Sequence, residues 1–147
     1  MSIQSDSDYK PDFEILDRYL NFSSELLRIS LLAIGGYGTI MLVKLKDETD
    51  KLPLNHLTIL FTSICIFTIC AGASLFHRYF ATDSMSWYIS YLRAKENGNT
   101  EKANIEKKGL HKSLNLSSIF LIVTEVTFAA AVLFFAAGIY QLINLQK

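Results

Sequence analysis

The chain has 147 residues, half of them apolar, and its 14 Lys and Arg balance 14 Asp and Glu for a formal net charge of zero. That length holds one domain, and the charge balance gives no electrostatic reason to bind nucleic acid. Cys65 and Cys70, both inside an apolar run, fit neither a CxxC redox pair nor a zinc spacing and read as small buried apolar residues.

Residues 1–8 are polar. The first 25 residues carry Asp6, Asp8, Asp12, Glu14, Asp17 and Glu25, the reverse of a basic n-region followed by an apolar h-region, so the first apolar segment is expected to stay in the mature protein. From Asp12 to Ser24 the residues Phe13, Leu16, Tyr19 and Leu20 recur at helical spacing, with Glu14, Asp17 and Arg18 off the stripe, which predicts an amphipathic helix over 12–24. Leu26–Val43 follows as a first membrane crossing, short unless Arg28 inside it snorkels to one interface while Lys44 and Lys46 mark the other. Within it Gly35 and Thr39 form a small-xxx-small pair of the kind that lets helices approach closely in lipid. The string Gly36-Tyr37-Gly38 is not a potassium-channel filter, because it lies inside a crossing and Ile34-Gly35 stands where that filter has Thr-Val.

A polar connection over 44–56, closed by Pro53 and with Asn55 as an N-cap, leads to the uncharged run Leu57–Phe76, the clearest span in the sequence. Thr58, Thr62, Cys65 and Gly72 fall near one face of it, a face suited to protein or water rather than lipid. His77, Arg78 and Tyr79 form an interfacial cluster, and Ala81-Thr82-Asp83-Ser84 offers caps for a new helix. Asn97-Gly98-Asn99-Thr100 is a turn signal. The expectation is a helical hairpin over 84–112 standing off the membrane, with Gly109 as a flex point in its second arm. Leu116–Tyr140 is the last crossing, since about 20 apolar residues at 1.5 Å rise cover a hydrocarbon core of about 30 Å.

Glu125 lies inside that last run, where an ionised carboxylate costs about 2.5 kcal/mol or more. Ser118, Leu121, Glu125, Ala129, Val132 and Ala136 share one helical face, the expected interhelical seam. Three roles are open to Glu125: a carboxyl hydrogen-bonded to Thr62 or Thr68, a ring of carboxylates around a lumen formed by several copies, or a proton or ligand site within one chain.

Residues 1–28 and 77–116 hold ten Lys and Arg against four elsewhere, which places the N-terminus and the hairpin in the cytoplasm and the chain in a plasma (inner) membrane. Arg78, Lys107, Lys108 and Lys112 then face anionic headgroups, and Trp87 with Arg93 suits contact with a soluble partner. His77, His111 and Asp83 match no metal or triad spacing, and no catalytic residue, metal site or cofactor is expected. The reading is an all-α integral membrane bundle: three transmembrane helices (26–43, 57–76, 116–140), an amphipathic N-terminal helix and a cytoplasmic helical hairpin. Its expected function is that of a homo-oligomeric pore or channel-like membrane effector. The alternative is a non-conducting anchor whose hairpin binds a soluble cytoplasmic partner.

Overall fold

In the computed structural model the backbone is described for residues 6–46 and 54–144, and side chains for 14–39, 42–43 and 58–141. Three helices account for it: α1 (Asp6–Lys46), α2 (Leu54–Glu96) and α3 (Thr100–Asn144). Each exceeds 40 residues and so extends about 60 Å or more. Among the described residues α2 and α3 are long and apolar enough to cross a membrane.

The helices are fewer and longer than their sequence signals suggest. The expected amphipathic helix 12–24 and the segment 26–43 are one uninterrupted α1, which starts before Pro11 and runs through it at the loss of the one backbone bond its amide would have given to Ser7 O. Of its early stripe Leu16, Leu20 and Leu26 turn inward, whereas Ile15, Tyr19 and Phe22 stay exposed. Likewise 57–76 and the first arm of the hairpin are one α2, and the second arm runs unbroken into 116–140 as α3. The caps expected at 81–84 do not end a helix. Ser84 Oγ donates back to Ala81 O at 2.7 Å, and the Asp83 carboxylate accepts from the Trp87 indole, so neither competes with the helical backbone. α2 already runs at Leu54, which places Asn55 inside its first turn and not at its N-cap. Residues 47–53, including Lys51 and Pro53, and the side chains of Lys44, Lys46 and Lys147, lie outside the described residues.

Where the turn signal stands, the chain does turn. Asn99 N–H donates to Ala94 O at 3.0 Å and Gly98 N–H to Lys95 O at 3.1 Å, the paired bonds of a Schellman C-cap with Gly98 at its left-handed position (φ 69°). Asn99 then caps the next helix: its Oδ1 accepts from Lys102 N–H at 3.0 Å and its carbonyl from Ala103 N–H. Gly98 and Asn99 thus close one helix and open the next within two residues. Gly98→Val should destabilise the hairpin by about 1–2 kcal/mol through its left-handed backbone, and Asn99→Ala by about 1 kcal/mol. Thermal melts followed by circular dichroism would read both.

The turn makes α2 and α3 an antiparallel pair in contact along their whole length, and α1 lies mainly on α2. Residues that meet follow one antiparallel register to within a turn of helix: Leu60 with Gly138, Ser63 with Ala131, Phe67 with Phe128, Cys70 with Thr124, Asp83 with Ser113 and Trp87 with Gly109. Along α2 one buried row runs through Leu60, Ser63, Phe67, Cys70, Ser74, His77, Ala81 and Ser84, with Ala71, Ala73 and Ala94 buried as well. Their alternating spacing of three and four is the seven-residue repeat of a coiled coil. Ser113, Ser117, Thr124, Ala131 and Gly138 continue it on α3, and Ser23, Leu26, Ser30 and Tyr37 on α1. Tyr37, Leu60, Phe67 and Ala131 form the central cluster, with the Tyr37 ring edge-on to Phe135 at 4.4 Å and its hydroxyl donating to Phe135 O at 3.3 Å.

Candidate functional site

Around the central cluster of Tyr37, Leu60 and Phe67, many small and hydroxylated residues sit inside the bundle and many large apolar ones outside. Ser23, Ser30, Ser63, Ser74, Ser84, Ser113, Ser117 and Thr124 are buried, while Phe61, Ile69, Leu75, Phe76, Ile122, Val126 and Leu133 are exposed. A water-soluble bundle does the reverse, because burying large apolar groups is what stabilises it. Small side chains instead let helix backbones approach, the packing available where the surroundings are themselves apolar. Ser23 Oγ and Ser74 Oγ are buried without a partner, and others are bonded locally or across the seam: Ser30 Oγ donates to Leu26 O at 2.8 Å and lies 3.4 Å from Cys70 Sγ, and the Cys70 thiol reaches Thr124 O at 3.5 Å. Ser63 Oγ donates to Ala131 O at 3.4 Å. Cys70 is thus the buried small residue expected, and Cys65 is exposed.

Glu125 stands one position past this seam. Thr124 is fully buried, and a step of one residue turns about 100° around a helix, so Glu125 is exposed. It makes no hydrogen bond or ion pair with any described residue. Ser118, Ala129, Val132 and Ala136 of its expected face are exposed with it, and Leu121 is half-buried. Within the chain the seam therefore runs through Ser117, Thr124, Ala131 and Gly138 instead. Thr62 and Thr68, weighed as partners for the carboxyl, donate to Thr58 O at 2.8 Å and Ile64 O at 2.9 Å in their own helix. Thr58 and Cys65 are exposed, and Thr62 and Gly72 are half-buried. Gly35 and Thr39 are exposed, and a Cβ on Gly35 or Gly72 would meet nothing within 4 Å. The structure leaves these small and polar faces of the single chain open.

Toward the turn the hairpin is clamped by a contact that the sequence reading does not foresee, between Asp83, Trp87 and Ser113. Asp83 Oδ2 accepts from Trp87 Nε1 at 2.9 Å and from Ser113 Oγ across the pair. The Trp87 ring lies on Gly109, so that residue is a contact point and not a hinge, and the half-buried indole is engaged inside the hairpin. Arg93, Lys107, Lys108 and Lys112 remain exposed, and Arg78, also exposed, donates to Ser24 Oγ at 3.4 Å. Among the described residues no three His, Cys, Asp or Glu converge on one point.

The sequence carried a signal for the seam. Cys70, Ser74, His77, Ala81 and Ser84 recur by three and four, with Ser63 seven residues before Cys70, but small or polar residues contribute little to an apolar periodicity. Compared with known proteins, the chain matches no family model, and it has no significant match to a curated protein or a solved structure.

Proposed function

We propose that the chain is a three-crossing membrane protein with its N-terminus and hairpin in the cytoplasm, and that several copies assemble into a pore in which Glu125 faces the interface or lumen. The carrying observation is the exposed, unpaired carboxyl of Glu125 between Ile122 and Val126, themselves exposed, on a helix apolar enough to span a bilayer. Against lipid an ionised carboxylate at that depth costs about 2.5 kcal/mol or more. Contact with water or with a neighbouring copy removes the cost. One chain has no room for an aqueous path, because Tyr37, Leu60, Phe67 and Ala131 fill its centre. A lumen must therefore lie between copies, where Gly35, Thr39, Ala129 and Ala136 supply small exposed surfaces for close helix contact. Arg78, Lys107, Lys108 and Lys112 would rest against anionic headgroups, each worth about 1 kcal/mol near the surface.

The test is ion flux through liposomes carrying the purified full chain, with stoichiometry from native mass spectrometry. A ring of carboxylates favours cations, so wild type should pass cations over anions. Glu125→Gln should reduce that preference at unchanged stoichiometry. Flux with the same selectivity in Glu125→Gln would remove Glu125 from the lumen. Absence of flux, with a monomer in the membrane, would favour the anchor, whose partner surface would then be Arg93, Lys107 and Lys108.

A further inference from the structure

Where α1 meets the hairpin, Ser23 Oγ on α1 and both Ser74 Oγ and His77 Nδ1 on α2 are buried without a hydrogen-bond partner. The contact from Arg78 to Ser24 Oγ at 3.4 Å sets the level, bringing the Ser23–Ser24 step of α1 opposite the His77–Arg78 step of α2. Of these groups the imidazole is the one that changes charge near neutral pH. The His77 side chain is 2% exposed and lies just beyond the apolar run Leu57–Phe76. Burial, then the neighbouring Arg78 guanidinium, lowers its pKa from the ordinary 6.5. The docked helix therefore accommodates the neutral ring.

Among the described residues no charge is placed to stabilise the protonated ring. On α1, Arg18 and Arg28 add like charge, the Asp17 and Glu25 carboxylates are exposed, Asp17 is bonded to Asn21, and Tyr19 is a phenol. The acidic residues before Glu14 lie about 16 Å or more along α1 from Ser23. On α2, Arg78 is again a cation, and Asp83 is held by Trp87 and Ser113. Facing them, α3 has Ser117 and Ser118 and no ionisable residue between Lys112 and Glu125. An imidazolium donates from both ring nitrogens, and Nδ1 has no partner in this joint. Charging the ring thus favours an arrangement that exposes it to water. The element free to move is α1, which rests mainly on α2 and little on α3, whereas α2 and α3 are joined by their turn and packed along their length.

We propose that His77 is an acid-sensitive latch: its uncharged ring seats the first half of α1 on the hairpin, and its protonation releases that half when the compartment facing the hairpin acidifies. Docking is full above about pH 6.5, where the ring is neutral in both arrangements. Below that it weakens by up to about tenfold per pH unit, until the docked ring also takes a proton.

The experiment uses the full chain in phosphatidylcholine nanodiscs, with Cys65→Ala and a dansyl group on Arg18→Cys, an exposed position of α1. Energy transfer from Trp87, the single tryptophan, reports how near α1 lies to the hairpin. Transfer should hold from about pH 7.5 to about pH 6.5, fall by about half or more on reaching about pH 5, and recover on return. With nitrogen-labelled histidine, the ring signal kept in His56→Gln/His111→Gln belongs to His77 and should titrate with the same midpoint. His77→Phe, which keeps an uncharged ring in the joint, should hold its transfer level over the whole range. Constant transfer down to about pH 5 in the parent chain would overturn the latch. So would an equal fall in His77→Phe. A His77 ring that titrates apart from the transfer, or above about 6.5 as pairing with a carboxylate would cause, would overturn it too.

Discussion

Gly109→Ala is expected to loosen the hairpin by about 1–3 kcal/mol, and Gly109→Leu to open it. A Cβ on Gly109 would stand 2.6 Å from Trp87 Cε3, 2.7 Å from Cδ2 and 2.9 Å from Cζ3, distances that real Cβ contacts do not reach. These are atoms of a rigid fused ring, not the tip of a flexible chain. The ring is also tethered, since its Nε1 donates to Asp83 Oδ2 at 2.9 Å while Ser113 holds the same oxygen from the facing helix. Moving the indole away therefore strains or breaks a hydrogen bond to a charged group, worth about 1.5–3 kcal/mol. Ala gains about 1 kcal/mol over Gly in helix propensity, which is too little to offset both effects. Trp87 is the single tryptophan of the chain and reports its own displacement. The measurement is emission wavelength together with melting temperature: a red shift and an earlier melt in Gly109→Ala. In a Trp87→Leu background the same change should become neutral or stabilising, because the clash is gone and the propensity gain remains. Unchanged emission and melting in Gly109→Ala would show that the ring is not confined as described.

The residues that misled the sequence reading and those that guided it obey the same physics. Asn97-Gly98-Asn99-Thr100 was legible because a left-handed glycine followed by an Asn N-cap is a local device, satisfied by neighbours within the turn. Helix existence was legible from long apolar runs, and the antiparallel hairpin from the brevity of its turn. Asp83 and Ser84 read as caps because their side chains compete for backbone groups. In the folded chain Trp87 and Ser113 occupy Asp83, and Ser84 bonds the turn before it, so α2 passes through. That competition is settled by a residue 30 positions away, beyond the reach of a local pattern. The seam was placed one residue off, on Glu125 in place of Thr124, for a related reason. The expected face runs through Glu125 with Ser118, Leu121, Ala129, Val132 and Ala136, and a face turned by one residue, through Ser117, Thr124 and Ala131, has the same spacing and similarly small residues, so periodicity alone does not choose between them. Glu125 was identifiable as an anomaly from hydropathy alone. Its exposure on the single chain was not, because it depends on which side of α3 the partner helix occupies.

Ala131→Leu and Ala129→Leu make the same chemical change two residues apart and should fail in different ways. Ala131 is fully buried against α2: Ser63 Oγ donates to its carbonyl at 3.4 Å, and nearby Leu60 would stand 3.2 Å from a Cβ on Gly138. Side chain to backbone contact across two helices leaves no space for three further carbons. The pair must separate, which forfeits packing along the seam, and in an apolar surrounding that packing is the main attraction between helices. Ala131→Leu should therefore cost about 1–3 kcal/mol or more, read as an earlier melt and a red-shifted Trp87. Ala129 is exposed beside Glu125. Its change to Leu should leave the monomer within about 0.5 kcal/mol. If copies meet on that face, the added side chain keeps them apart, so native mass spectrometry should show loss of the oligomer while melting and Trp87 emission hold. The pair of variants thus separates folding of one chain from association of several. A normal oligomer in Ala129→Leu would move the contact between copies to another face and leave the Glu125 carboxyl without the neighbour its depth requires.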